Sequence, residues 1–401
     1  MSAAWKAWKR LKAPRLMIQW LRNGVPLRWA GAPPPPWKCP QKQDEKVEKE
    51  MEKVVKSGAF VPGRARVVSP VFTIPKKTGE QRLIHDLRYV NRRLTPPRFT
   101  LTGMLEATEV VKRATWLVTM DMHHGYQQVA VDMKAREFLG AWAEGKEVVS
   151  TVLPFGLNLS PYIFTRFTTW VTRKIREKFG LYSAVYVDDY LFGAESKEKL
   201  EEGIKKVRSL FETLGIKISN KTTLIPQREV QFLGFNWNAQ TKEISVPTER
   251  RKEYRRRILN ILRHPQTKKV WNKVTGRLLF LKQAVGPTMR RLRSIFKAAN
   301  SRKKGLIQAT GEAAEDLKWW AEKLRKPVTF PLREDQIAGA IVTDASQEGI
   351  GVTLDIWDPM EGKSVSQTEE FRFQPTSGMH INGKELEALW KILDKRGEEL
   401  K

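Results

Sequence analysis

The tetrapeptide Tyr186-Val187-Asp188-Asp189 lies between two strand-like runs, residues 181–185 and 190–192. Adjacent carboxylates at a hairpin tip repel, and neither ionises comfortably without a cation nearby. The tip is therefore a candidate divalent-metal site. A third carboxylate, Asp121, closes another strand-like run, residues 116–120. Three aspartates on adjacent strands of one sheet suit two Mg²⁺ ions, with Mn²⁺ as a substitute, and hence nucleotidyl transfer. The plain alternative is an acidic β-turn with a solvated pair; the placing of Asp121 argues against it. His123 and His124 have no Cys or His partners at zinc spacing, so no zinc site is expected.

The surrounding pattern supplies elements to hold these groups. Residues 44–56 have helical spacing, with Val47, Met51, Val54 and Val55 on one side. Strand patterns follow at 67–68, 71–74 and 82–84, the last two joined by the turn signature Lys77-Thr78-Gly79-Glu80. Helices are expected at 164–179 and 197–214, and basic amphipathic helices at 247–264 and 267–284. After Pro327–Pro331 an apolar strand, 340–344, ends in Asp344.

The chain has 401 residues, enough for two or more domains. Its net charge is +28, yet 41% of residues are hydrophobic, which a disordered basic tail would lack. A folded protein with a polyanionic partner fits, nucleic acid first. One cysteine, Cys39, excludes an internal disulfide and points to a reducing compartment. With no secretory signal and no apolar run of membrane length, the expected location is intracellular, cytoplasmic or nuclear, without a membrane partner. Residues 1–43 are rich in Trp, Lys and Pro and hold no acid before Asp44. A mitochondrial presequence, an arm along nucleic acid and a polyprotein linker all fit that composition.

From about Asp44 onward the chain resembles a reverse transcriptase of the retroviral and retrotransposon kind. The resemblance is carried, in order, by Ser69-Pro70-Val71; Arg82-Leu83-Ile84-His85-Asp86-Leu87-Arg88 with Asn91; Asp121 with Tyr126; Leu153-Pro154-Phe155-Gly156-Leu157 with Ser160-Pro161; Tyr186-Val187-Asp188-Asp189; Lys221; and Phe232-Leu233-Gly234. His380-Ile381-Asn382 and Glu385-Leu386 look most like LTR/DIRS-type retrotransposons.

The resemblance implies an α+β, right-hand polymerase. Fingers span about 44–96 and 129–159, palm about 97–128 and 160–240, and thumb with connecting helices 241–330. The basic arm, 1–43, precedes them. Residues 331–401 look like the opening of a ribonuclease H domain, with Asp344 and Glu385 as its carboxylates; no ribonuclease H activity is expected of them alone.

By the same resemblance, Asp121 and Asp188 hold the metals with Asp189 close by, and Met122 lends its backbone carbonyl. Tyr126 packs under the sugar of the incoming dNTP and excludes a 2′-hydroxyl. Lys76, Lys77 and Arg82 grip the triphosphate, Phe155 and Gly156 lie beside base and template, and Lys221 is a general acid. Gly276 and Arg277, with Arg250 and Arg255, are placed on the duplex. The implied activity is RNA- and DNA-directed DNA synthesis on a primer. Its partners are an RNA template, a DNA primer, the RNA/DNA or DNA/DNA duplex and dNTP. The rival reading is a catalytically silent, domesticated nucleic-acid binder. The resemblance also adds a retroelement particle as an alternative location. Oligomeric state is not legible.

Overall fold

The structure is a computed structural model. It describes the chain except residues 42–43, 76–78, 102, 220–223, 302–304, 333–338, 346–348, 359–362, 373–380 and 397–401. Two compact units emerge, Met1–Leu332 and Arg333–Lys401.

The first unit is organised around a three-stranded antiparallel sheet, with Asp189–Ala194 between Trp116–Asp121 and Tyr182–Tyr186. Its central strand is apolar on both faces because both are covered. Side chains alternate along a strand, so Tyr190 and Phe192 join one core and Leu191 the other. Helices Ser160–Phe179 and Lys197–Thr213 supply Phe164, Phe167, Val207 and Phe211 to the first core. Helix Gly103–Arg113 supplies Ala107, Val110 and Val111 to the second. Helix Ser160–Phe179 begins four residues before its predicted start, since Pro161 at its first turn fits a helix N-terminus.

Residues 1–38 are part of this unit, not a separate arm. Trp8 is fully buried between Phe167 and Trp170, with ring centroids 5.4 and 5.2 Å away, and its indole N–H donates to the Leu214 carbonyl at 3.0 Å. Val25 exchanges backbone hydrogen bonds with Ala130 and Asp132. Lys6, Lys9, Arg10 and Arg15 face solvent. The Trp/Lys composition is thus an amphipathic cover: tryptophans inward, cations outward.

A five-stranded mixed sheet runs in the order Trp37–Lys38, Val67–Val68, Gly140–Ala143, Lys146–Ser150, Phe60–Pro62. Helix Glu45–Lys56 packs beside it through Val47 and Met51 and is capped by the Asp44 carboxylate, which accepts from the Lys46 and Val47 N–H groups. The hairpin Val71–Pro75/Gln81–His85 forms as its turn signature predicts.

His85, at the base of that hairpin, is buried. One ring nitrogen, Nε2, lies 2.9 Å from the Gly140 carbonyl, while Nδ1 has no partner. Burial lowers its pKa to about 4. An unfolded histidine accepts a proton near pH 6.5, so the folded state loses ground as pH falls from about 6.5 to about 4. The loss is about 3 kcal/mol for a shift of this size. Urea midpoints at pH 7 and pH 5 should fall more for the parent chain than for His85→Gln.

Beyond the central sheet, strands Glu229–Phe232, Phe235–Asn238, Glu243–Ser245 and Thr329–Pro331 pair in that order. This sheet spans the boundary expected at 240/241. Helices Thr248–Arg263, Lys268–Val285, Arg290–Ala299 and Gly311–Lys323 pack with it around Trp237, Trp271 and Trp320.

In the second unit, strands Gly339–Ala345, Gly349–Asp358 and Lys363–Arg372 form an antiparallel meander, and helix Ile381–Arg396 packs on the first two. Asp344 pairs with Gly351, and Asp344 and Glu385 are both exposed.

Candidate active site

Strand register brings the aspartates together. Asp189 stands directly opposite Asp121 and also pairs with Tyr186. Opposed residues of an antiparallel pair have Cβ atoms roughly 4.5–5.5 Å apart on one face, where like charges destabilise. Asp188 sits in the two-residue turn. Val187 before it has φ +60°, and Asp188 does not share the positive sign. That pattern matches a type II′ turn, which prefers glycine where Val187 stands. Strain of this kind gathers at functional sites. The Met122 N–H donates to the Asp188 carbonyl at 3.1 Å, tying the turn to the end of the neighbouring strand.

The carboxylates sense one another. Burial, then Asp121, raises the pKa of Asp188, although Arg82 opposes the shift. Burial, then Asp188 and Asp121, pushes Asp189 up to about 7. Among the described residues no three His, Cys, Asp or Glu side chains converge as a ready-made metal cage. Closing this set against its own repulsion needs a cation. The donors are hard oxygens of the kind Mg²⁺ and Mn²⁺ take.

Two clefts flank the aspartates. One, of about 750 Å³, is lined by Asp121, Asp188, Arg82, Phe155, Gly125 and His124, among others. The second, of about 350 Å³, is lined by Asp121 and Asp189 with Gln227, Phe232 and Leu233. Asp121 thus serves both, Asp188 faces the first, and Asp189 the second.

Tyr126 is half-buried behind the larger cleft, with ring centroids 5.1 Å from Phe155 and 5.4 Å from Phe164. Burial first, then Asp188, raises its hydroxyl to about 12. The Arg82 guanidinium lies 5.3 Å over the Phe155 ring and is exposed. Gly156, at φ +113°, approaches protein backbone more closely than any other residue could. A Cβ there would stand 1.9 Å from the His85 carbonyl oxygen. Asn91 holds the same loop: its amide donates to the Gly156 carbonyl at 2.8 Å, and its side-chain oxygen accepts from the Asn158 N–H at 3.0 Å.

Two contributors were not assigned from sequence. Gly125 lets its turn press on the aspartates: a Cβ there would lie 3.0 Å from both the Asp188 Cβ and the Phe164 ring. Phe164, read only as a core helix position, backs Tyr126. The glycine between His124 and Tyr126 was the available signal.

Lys76, Lys77 and Lys221 lie outside the described residues. The four residues placed on a duplex do not share one face. Gly276 is exposed on helix Lys268–Val285. Arg277 turns to Glu253, 3.5 Å away, and to the Tyr254 ring. Arg250 lies 5.6 Å over Phe280 on that same side of helix Thr248–Arg263. Arg255 points elsewhere, its Nε–H donating to the Ala321 carbonyl at 3.1 Å. Five residues separate it from Arg250, about 140° round a helix.

Residues 74–237 match the model of the family described as reverse transcriptase (RNA-dependent DNA polymerase). The chain carries a reverse transcriptase domain. That domain contains the three aspartates, Tyr126, Phe155 and Gly156. The retrovirus-related Pol polyprotein of the gypsy transposon of Drosophila melanogaster is 27% identical over 195 residues, 47% of this chain and 19% of that polyprotein. The chain thus spans about a fifth of that relative. Among solved structures, a foamy viral protease-reverse transcriptase in complex with double-stranded DNA superposes with TM-score 0.68 at 21% identity, covering 93% of this chain and 64% of that one. The foamy viral protein in complex with an RNA/DNA hybrid gives 0.66 at 21% identity, covering 92% and 49%. The fold around the reverse transcriptase domain is therefore a mixed α/β fold shared with those proteins. No helix among the described residues is long and apolar enough to cross a membrane.

Proposed function

We propose that this chain is an RNA- and DNA-directed DNA polymerase of an LTR/DIRS-type retroelement, extending a primer 3′-hydroxyl with dNTPs. The observation that carries the reading is the register of Asp121 with Asp189, with Asp188 on the adjoining turn, beside a nucleotide-sized cleft. The layout is a right hand. The 71–85 hairpin and the five-stranded sheet are fingers, the central sheet is palm, and the helices between 248 and 323 are thumb and connecting helices.

Asp121 and Asp188 are the metal-holding carboxylates, with Asp189 and the Met122 carbonyl beside them. Two Mg²⁺ ions bound there would lower the pKa of the primer hydroxyl and neutralise charge on the leaving pyrophosphate. The chain's own residues do the positioning. Arg82 meets the triphosphate, with Lys76 and Lys77 near it in sequence. Phe155 and Tyr126 form an aromatic wall for the nucleotide, and Lys221 donates a proton to pyrophosphate. Gly276, Arg277 and Arg250 lie on the duplex side of the thumb. The partners are an RNA or DNA template and its primer duplex; the foamy viral neighbours, solved with double-stranded DNA and with RNA/DNA hybrid, lend support. Asp344 and Glu385 open a ribonuclease H-like unit.

The test is primer extension on RNA and on DNA templates with Mg²⁺, comparing dNTPs with NTPs. The reading expects dNTP incorporation on both; none under conditions where a control enzyme works would remove it. Tyr126→Ala opens space between Phe155 and the palm. It should raise NTP incorporation relative to dNTP by about 10- to 100-fold, the scale of one lost steric contact. An unchanged ratio would take Tyr126 out of the sugar gate.

A further inference from the structure

Helix Thr248–Arg263 carries cations on two opposite sides, and only one adjoins helix Lys268–Val285. The other side forms a groove of about 440 Å³ against the end of helix Gly311–Lys323. It is lined by Arg251, Lys252, Arg255, Arg256, Arg263 and Arg325, and no carboxylate lines it.

We infer that this groove is a second nucleic-acid site, taking the phosphate backbone of a strand separate from the primer–template duplex. Two of its guanidiniums are held in place by the protein. Arg251 donates to the Leu324 carbonyl at 2.9 Å, and Arg255 to the Ala321 carbonyl at 3.1 Å. These bonds satisfy carbonyls at the end of a helix and leave other N–H groups of each fork for a ligand. Among the described residues, Arg251, Arg255, Arg256 and Arg263 have no carboxylate within ion-pair distance. Lys252 and Arg325 do pair, with Glu249 at 4.0 Å and Glu322 at 2.8 Å, but a merely solvated basic face on a chain with 44 acidic residues has less reason to leave the other four unpaired.

The pattern selects the ligand. Lys252, Arg256 and Arg263 recur at helical spacing along one stripe, and Arg251 to Arg263 spans about 18 Å of helix. A groove of that length can follow a short run of phosphates along one strand. Leu259 and Leu324 are the groove's apolar residues, too few for the desolvated centre of a protein interface. No Phe, Tyr or Trp lines it and His264 is its one ring, so contacts to phosphate outweigh base stacking and recognition is independent of sequence.

The test uses the full chain saturated with an unlabelled self-priming DNA hairpin, then titrated with a fluorescent single-stranded 12-nucleotide DNA. The loaded chain is expected to bind the oligonucleotide. Arg263→Glu with Arg325→Glu, two exposed positions, should weaken that binding at least about tenfold. The slope of log K against log salt should shrink by about 1.4, the share of two single-strand phosphates. Hairpin affinity, extension from the hairpin and thermal midpoint should stay unchanged. Three results would overturn the inference. The loaded chain fails to bind the oligonucleotide, or the double variant binds it equally well. Hairpin affinity falls in parallel, which makes the groove part of the duplex track. Polyglutamate binds and the oligonucleotide cannot displace it, which makes the partner an acidic protein.

Discussion

Asp188→Asn is expected to cut primer extension by at least about 10³-fold while leaving the fold intact or slightly firmer. The loss follows from removing one of the carboxylates on which transition-state charge control rests. The firmer fold follows from the sign of the pKa shift. Burial and Asp121 raise the carboxyl, so the folded state disfavours the ionised form. Asparagine keeps the shape and removes the charge. The turn itself depends on the Asp188 backbone carbonyl, which accepts from Met122 whichever side chain is present. Single-nucleotide incorporation and thermal unfolding, measured without added metal, check both halves. Lost extension together with a lowered midpoint would mean that the side chain is structural.

Gly156→Ala should be the most damaging small substitution in the chain. The added methyl would sit 1.9 Å from the His85 carbonyl oxygen, and the φ of +113° lies where side chains other than glycine are strained. The 153–158 loop must then leave the hairpin base, breaking the His85 N–H bond to the Phe155 carbonyl and the Asn91 amide bond to Gly156. A destabilisation of about 4 kcal/mol or more is expected, in the class of exceptional point mutants. Urea unfolding measures it. Asn91→Ala should reproduce part of the loss, because it releases the same loop without a clash; a Gly156→Ala chain as stable as its parent would show that the loop has room to move.

The parts of this site legible in the sequence are those set by local chemistry. Asp188 and Asp189 read as a turn because apolar alternation runs up to them on both sides. The 71–85 hairpin reads from its Gly79 turn, and helix Glu45–Lys56 from Asp44 and its apolar stripe. The illegible parts depend on distant contacts. Trp8 looked like part of a basic arm because its partners, Phe167, Trp170 and Leu214, lie about 160 to 206 residues further on. Gly156 was expected to lie beside base and template; that its missing side chain also makes room for His85 is a contact that no spacing announces. Arg250 and Arg255 read as one cationic face because composition ignores the turn of a helix; their tertiary partners, Phe280 and Ala321, lie on different sides.

The account rests on Asp121, Asp188 and Asp189 acting as one oxygen cradle for divalent ions. Mn²⁺ binding, followed by electron paramagnetic resonance on the chain loaded with a dideoxy-terminated primer–template and the next dNTP, tests that most directly. Two ions per chain are predicted, with Asp121→Asn removing at least one while the nucleic acid stays bound. Full Mn²⁺ occupancy in Asp121→Asn, or no protein-dependent Mn²⁺ site in the parent complex, would contradict it.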